Sequence, residues 1–251
     1  FNLSGPLSNP FMFNSAADAD FYDYQITRSL RFNGTSHALE KTWGAAATND
    51  DAKAISVWIK RTGGSSTNSA IGSTTNTKIC SANDFNQLEI NTGNPSGFSD
   101  QFGYFISSGN NAAWYKGKWR DPSAWLHLVW IYNSDESTTT DRVKVYFNGE
   151  AQPIGDSDLW NYTNGNVDPY PGSGTDCQFG LNTKEMHIAR YQYDDGGWWG
   201  GQMADFIMID GAASISDFGE TKNGVWKPVD PSGLTFGNNG FWLDFKDASD
   251  P

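Results

Sequence analysis

The sequence predicts an all-β fold, and three observations carry that expectation. The first is the stretch WLHLVWIYNSDESTTTDRVKVYFNG, residues 125–149. Its first run, Trp125 to Tyr132, is almost continuously apolar, as in a strand covered on both faces. Its second run, Asp141 to Asn148, alternates. Val143, Val145 and Phe147 share one face, and Arg142, Lys144, Tyr146 and Asn148 share the other, the period of a strand with one buried side. Ser134 to Thr140 connects the two runs, and Asn148-Gly149 supplies the positive-φ pair of a tight reversal. The second observation is composition: 15% of residues are aromatic and 27 are glycine, which fits strands separated by turns. The third is a lack of helical periodicity, since no apolar i, i+3, i+4, i+7 pattern outlasts two turns.

The chain has 251 residues, a length that all-β sandwiches and barrels commonly fold as one domain. Such a chain buries roughly 70–75% of its unfolded surface without help from a metal or disulfide. The formal net charge is −12, with 17 basic residues scattered along the chain. Phosphate binding needs clustered Lys and Arg, so nucleic acid is not an expected partner. No apolar run reaches 18 residues, so membrane insertion is not expected either. No charged segment leads into an apolar one at the N-terminus, so no signal peptide is read there. Opening on Phe and ending on Asp-Pro, the chain reads as part of a longer protein. Cys80 and Cys177 lack CxxC spacing and a His/Cys cluster, which argues against structural zinc. Each reads as a small buried residue, with a Cys80–Cys177 disulfide as the alternative.

In chain order, residues 1–24 form an N-terminal arm punctuated by Gly5, Pro6 and Pro10. Its Phe11, Met12, Phe13, Phe21, Tyr22 and Tyr24 are expected to lie against the chain's own domain or a neighbouring subunit. Residues 25–251 form the domain. Strands are expected at Ser29–Asn33, continued after a turn by His37–Lys41, and at Ala54–Arg61. In the latter, Ile55, Val57 and Ile59 form one face and Ser56, Trp58 and Lys60 the other. Thr62–Thr77 has the composition of a surface loop, with a short strand near Ala70-Ile71. Leu88–Asn91 and Gly103–Ser107 follow as short strands, and Trp114–Asp121 as an aromatic loop. After the central hairpin come a short strand at Glu150–Ile154 and a long loop over residues 155–182, of the kind that is functional or touches a subunit. Glu185–Tyr191, Gly201–Asp210 and Gly240–Lys246 are the remaining strands. Ser214–Gly219 is a single helical turn, with Ser214 as cap and Asp217 at the third position.

Taken in order, SLRFNG, AISVWIKRT, WLHLVWIYNSDESTTTDRVKVYFNGE and HIARYQYDDGGWWGGQMADFIMIDG resemble the concanavalin A-like lectin/glucanase superfamily, nearest its laminin-G-like branch. The tail FGETKNGVWKPVDPSGLTFGNNGFWLDFKDASD is similar to laminin-G-like modules of tailed-phage virion proteins, especially those of marine phages. The resemblance spans nearly all of residues 25–248. It implies a jelly-roll sandwich of two antiparallel sheets, with at most one or two short helical turns. It also implies that SLRFN and FWLDF lie side by side in one sheet, and that Trp199 is a packing residue.

Glucanases of this fold carry E-x-D-x-x-E on one strand, paired carboxylates that act as nucleophile and acid. That motif is missing. Glu89 is followed at the second position by Asn91, Asp205 and Asp210 lie on opposite strand faces, and Glu185 has no acidic neighbour. His37, His127 and His187 have no metal-ligand spacing; the latter two read as hydrogen-bonded strand histidines. No Gly-x-Ser-x-Gly elbow is present. No catalytic residue, resident metal or cofactor is therefore expected. Calcium, the ion most often tied to this superfamily, needs converging oxygens; Asp194 and Asp195, or Asp156 with Asp158, are the candidates, and solvated turn acids are the alternative.

Aromatic loops are the stronger functional signal, because sugars stack their C–H faces on indole and phenol rings. The candidate glycan-binding residues are Trp114, Tyr115, Trp119, Tyr193 and Trp198. Trp160, Tyr162 and Tyr170 form a further set, suited to glycan or subunit contact. The expectation is a non-enzymatic phage virion structural protein (capsid decoration, head fibre or tail-fibre module) whose lectin-like domain binds host or environmental glycans. Its partners would be other virion proteins in a homo-oligomer, a trimer for a fibre, and a cell-surface glycan. The alternatives are a secreted or surface carbohydrate-binding module of a bacterium, or a glycoside hydrolase.

Overall fold

A computed structural model describes residues 21–62, 77–82, 86–90, 100–106, 111–161, 168–192 and 197–246. Among the described residues sixteen strands run in order: β1 (Leu30–Asn33), β2 (Leu39–Thr42), β3 (Ala52–Arg61), β4 (Thr77–Ala82), β5 (Asn86–Ile90), β6 (Gln101–Ile106), β7 (Asn111–Lys118), β8 (Leu126–Asn133), β9 (Val143–Phe147), β10 (Glu150–Ala151), β11 (Trp160–Asn161), β12 (Glu185–Ile188), β13 (Gly200–Asp210), β14 (Gly219–Lys222), β15 (Val225–Pro228) and β16 (Phe241–Leu243). Two seven-stranded antiparallel sheets hold all but β14 and β15. The first sheet has the order β1-β13-β3-β8-β9-β10, with β16 also on β13; the second has β11-β7-β6-β5-β4-β12-β2. This is the jelly-roll sandwich that the sequence led us to expect.

The core lies between the sheets, and alternation explains who is in it. Ile55, Val57 and Ile59 of β3, Leu128 and Trp130 of β8 and Val143, Val145 and Phe147 of β9 face Leu88, Ile90, Phe102 and Tyr104 of the second sheet. The opposite face of the first sheet is also covered. There Ala54, Val129, Ile131, Ile207 and Ile209 pack under Phe218, Ile215, Leu234 and Phe236 from the C-terminal segment. That double cover is why β8 reads as an uninterrupted apolar run. Ser214 N–H donates to Asp217 Oδ2 at 2.7 Å at the expected helical turn, which is a 3-10 turn over Ile215–Asp217.

Several local readings change. Residues 114–118, read as loop, belong to strand β7. The stretch after β1 does not continue it: β2 crosses to the other sheet and pairs with β12. β4 and the β14–β15 hairpin arise where no strand was expected. β1 and β16 share a sheet, but they lie end to end along β13, opposite residues 200–203 and 206–208 respectively, so they are not paired neighbours. Trp160 and Tyr170, expected to be available for glycan or subunit contact, are buried; Trp160 packs on Phe102, Tyr104 and Tyr115. Tyr162 and Ala70-Ile71 lie outside the described residues. Cys80 and Cys177 are both free and buried, and burial pushes the Cys177 thiol up to about 12.

Lys53 and Asp210 form an ion pair at 2.6 Å, with neither side chain exposed. Asp210 also accepts from Thr48 N–H at 2.7 Å and Asn239 N–H at 3.0 Å, and Lys53 Nζ donates to Asn49 O. Burial alone would raise the Asp210 carboxyl, but the Lys53 hydrogen bond, the Thr48 N–H, the Lys53 charge and the Asn239 N–H hold it below the usual range. One carboxylate thus joins the end of β13, the start of β3, the loop before β3 and the segment before β16.

Candidate functional site: an aromatic groove on the first sheet

A groove of about 580 Å³ opens on the outer face of the first sheet. Trp58, Trp125 and Ala204 form part of its lining, the strap of residues 22–29 crosses it, and Trp226 and Pro228 of β15 wall it. Trp58 projects here because alternation along β3 sends Val57 and Ile59 into the core and the residue between them outward. Trp125 precedes β8 and is 36% exposed, and Tyr22 is 41% exposed.

Buried His127 fixes the rings beneath the groove. Trp58 stacks on it at 4.5 Å with 3° between planes, and the Trp226 ring lies 5.9 Å from it at 26°. Trp226 Nε1–H donates to His127 Nδ1 at 2.8 Å. Nδ1 is therefore an acceptor, the proton sits on Nε2, and Nε2–H donates to Ser56 Oγ at 2.8 Å. Burial lowers the His127 pKa to about 3, so the ring is neutral at physiological pH. This polarity is the reverse of what activates a serine, where Nε2 must receive the hydroxyl proton. The Ser56–His127 pair is a structural support. Trp226 fits because Gly149 (φ +81°) and Gly219 leave room for its ring, which a Cβ at either position would strike.

The strap is held at three points. Asp23 pairs with Lys227 at 3.0 Å, and Lys227 also meets Glu220 at 2.5 Å. Ser29 Oγ accepts from Gln202 Nε2 at 3.2 Å. Tyr24 O–H donates to Asp205 Oδ2 at 2.7 Å, while Trp242 Nε1–H donates to Asp205 Oδ1 at 3.1 Å. Asp205 sits at φ +42°, where β13 slips register against β3 between Ala204 and Ile207. Burial raises its pKa, against the opposing hydrogen bonds from Tyr24 and Trp242.

A raised carboxyl pKa in the folded state contributes stability below the unfolded value, and that contribution is lost as pH rises through the folded pKa. Asp205→Asn removes the buried charge. It keeps an acceptor for Trp242, offers its amide to the Tyr24 oxygen, and suits the left-handed backbone. It is expected to unfold at a higher temperature than the parent at pH 8, with the gap closing toward pH 4; thermal scans across that range check the sign.

Among the described residues, Tyr115 and Trp119 of the aromatics proposed from sequence share a contact with Phe147, while Trp114 and Trp198 pack against other residues. Trp114 faces outward on the second sheet, only 4% exposed, with its ring over Gly103 and edge-on to Phe105 at 4.8 Å. Tyr115, the next residue, points inward onto Phe147 and Trp160. Trp119 also packs inward, against Phe102 and Phe147. Trp198 is half-buried under the Arg190 guanidinium, 5.5 Å from its ring. Trp199 is buried. Tyr193, Asp194 and Asp195 lie outside the described residues. Among the acids weighed for catalysis, Glu89 is buried and ion-paired with Lys78.

Trp125 and Trp226 have no counterpart among the site residues expected from sequence, and Tyr24 figures there only as one of the arm aromatics expected to lie against the domain or a neighbouring subunit. The available signals were Trp58 on the polar face of an otherwise regular strand and Asn223-Gly224 between two short β-prone runs, the same turn signal as Asn148-Gly149 after the central hairpin.

No protein-family model matches the chain, and no curated protein matches it. Among solved structures, it is similar to a Bacteroides ovatus protein proposed to bind carbohydrate, with TM-score 0.45 and 16% identity over 74% of this chain and 46% of that one. It is similar to the botulinum neurotoxin serotype D binding domain, with TM-score 0.46 and 11% identity over 76% and 41%. A third is mouse laminin α1 domains LG4-5, with TM-score 0.42 and 8% identity over 82% and 45%. The chain spans less than half the length of each of these three. At such scores the likenesses carry no functional weight, and the jelly-roll assignment rests on the strand pairing above.

Proposed function

We propose that this is a non-enzymatic, lectin-like module that binds a glycan in the groove between the strap and β15. The observation that carries the reading is an open cleft presenting Trp58, Trp125 and Tyr22, with the exposed polar side chains of Gln25, Thr27 and Arg28 along one side. A pyranose offers an apolar face to the rings and hydroxyls to the polar rim. The groove volume falls within the ~300–1,000 Å³ of small-molecule sites. The acidic chain disfavours polyanionic ligands and leaves neutral glycans as the favoured class.

The sequence resemblance supports a finer reading, in which the module sits on a tailed-phage virion as a decoration or fibre component, in a homo-oligomer, and engages surface glycans. Isothermal titration of the purified chain against neutral oligosaccharides is expected to show saturable binding with no release of reducing sugar. Absence of binding across a broad glycan array would overturn the lectin reading. Failure to find the protein by mass spectrometry of purified particles would overturn the virion reading alone.

A further inference from the structure

We infer that Glu40, Glu185 and His187 form a binding site for a first-row divalent transition ion, with Zn²⁺ as the best-fitting member. The site lies on the outer face of the second sheet, away from the aromatic groove. It rests on cross-strand register. His187 of β12 stands directly opposite Glu40 of β2, and Glu185, two residues before His187, shares its face. One donor atom from each of the three residues lies within 4.8 Å of the other two.

The second observation is the state of the imidazole. His187 is 1% exposed, and neither ring nitrogen makes a hydrogen bond. Glu185 Oε2 is nonetheless 3.1 Å from Nε2, and Glu40 Oε2 is 3.7 Å from Nδ1. The carboxylates are close but not aligned to accept from the ring. Nε2 and the Glu185 carboxylate are thus placed as two donors of one ion, with Glu40 beside the other ring nitrogen. Zinc bond lengths of ~2.0–2.2 Å place tetrahedral ligands about 3.3 Å apart, close to the Nε2–Glu185 spacing. The Glu40 side chain is 64% exposed, so it can rotate onto the same nitrogen's side. Water would fill the remaining position. An imidazole with two carboxylates suits zinc and its neighbours better than calcium, which takes an all-oxygen shell.

The ion would also relieve the sheet edge. β2 is the outermost strand of its sheet, and it brings two acidic side chains to one histidine in a chain of net charge −12. A bound cation would fasten that edge to β12. The spacing Glu-x-His within one strand is the sequence signal. The third ligand comes from a strand nearly 150 residues away, a separation no local motif records.

The test is a titration of the whole chain with Zn²⁺ by calorimetry, and with Co²⁺ by visible absorption, after chelator treatment. One ion per chain is expected, with tetrahedral Co²⁺ bands and a rise in Tm of about 5–10 °C at a hundredfold excess over Kd. Glu40→Gln and Glu185→Gln alter exposed side chains and should fold; each is expected to weaken binding by at least about tenfold. His37→Ala is the control that should bind unchanged. Absence of saturable binding would overturn the site and leave His187 as a buried strand histidine beside two carboxylates. Binding of undiminished strength in both Glu variants would overturn it equally.

Discussion

Asp210→Ala is expected to lower the stability of the fold by about 3–5 kcal/mol, the cost of breaking a buried ion pair from one side. For a chain of this size that is a fall in Tm of roughly 6–20 °C. The size follows from what is left behind. Lys53 has no exposed side-chain surface, so its ammonium would be left in the interior without a counter-ion. The Thr48 and Asn239 amides would lose their acceptor as well. Asp210→Asn keeps an oxygen for both of those amides, which share Oδ2, but leaves the Lys53 charge at the other position unpaired, so it should fall between Ala and the parent. Lys53→Met should cost less than Asp210→Ala, because Asp210 keeps its backbone donors. Urea and thermal unfolding of the three variants check the order, and a neutral Asp210→Ala would contradict it.

Trp125→Ala is expected to weaken glycan binding by tenfold or more while changing stability by about 0.5 kcal/mol or less, as surface substitutions do. A stacked ring is worth on the order of 0.5–1.5 kcal/mol beyond its buried area, the lost contact area adds to that, and tenfold corresponds to about 1.4 kcal/mol. Trp58 differs, because its ring also covers His127. Trp58→Ala should lose both affinity and stability. Trp58→Phe keeps a stacked ring over the imidazole and should recover most of the stability but only part of the affinity. Calorimetry for affinity, with unfolding curves alongside, separates the two effects. Loss of affinity only in variants that have lost their fold would remove the support for a binding role.

The architecture was legible wherever one face of a strand is buried and its neighbours lie close in sequence. β3, β8, β9 and β13 all emerged from alternation or from an unbroken apolar run. β4 did not, because Lys78 and Ser81 break its pattern; both are buried on the sheet's outer face, where Lys78 meets Glu89. The aromatic run Trp114-Tyr115 was misread for the opposite reason. Consecutive aromatics suggested an exposed loop, yet on a strand they point to opposite faces, one onto Gly103 and one into the core.

The groove itself was scattered across the chain. Tyr24, Trp58, Trp125 and Trp226 come from four separate segments, and only folding assembles them. The Asn223-Gly224 turn was available, but it gained meaning only once Trp226 was seen against His127.

The chain has 11 tryptophans, each with one indole N–H that reports separately in a two-dimensional nitrogen–proton spectrum. Titration with a bound oligosaccharide is the most direct test of where the glycan sits. Glycan binding in the groove predicts shifts of the Trp58, Trp125 and Trp226 indoles, with Trp130 and Trp160 unmoved in the core. Shifts at Trp114 and Trp198, with the three groove indoles still, would contradict it.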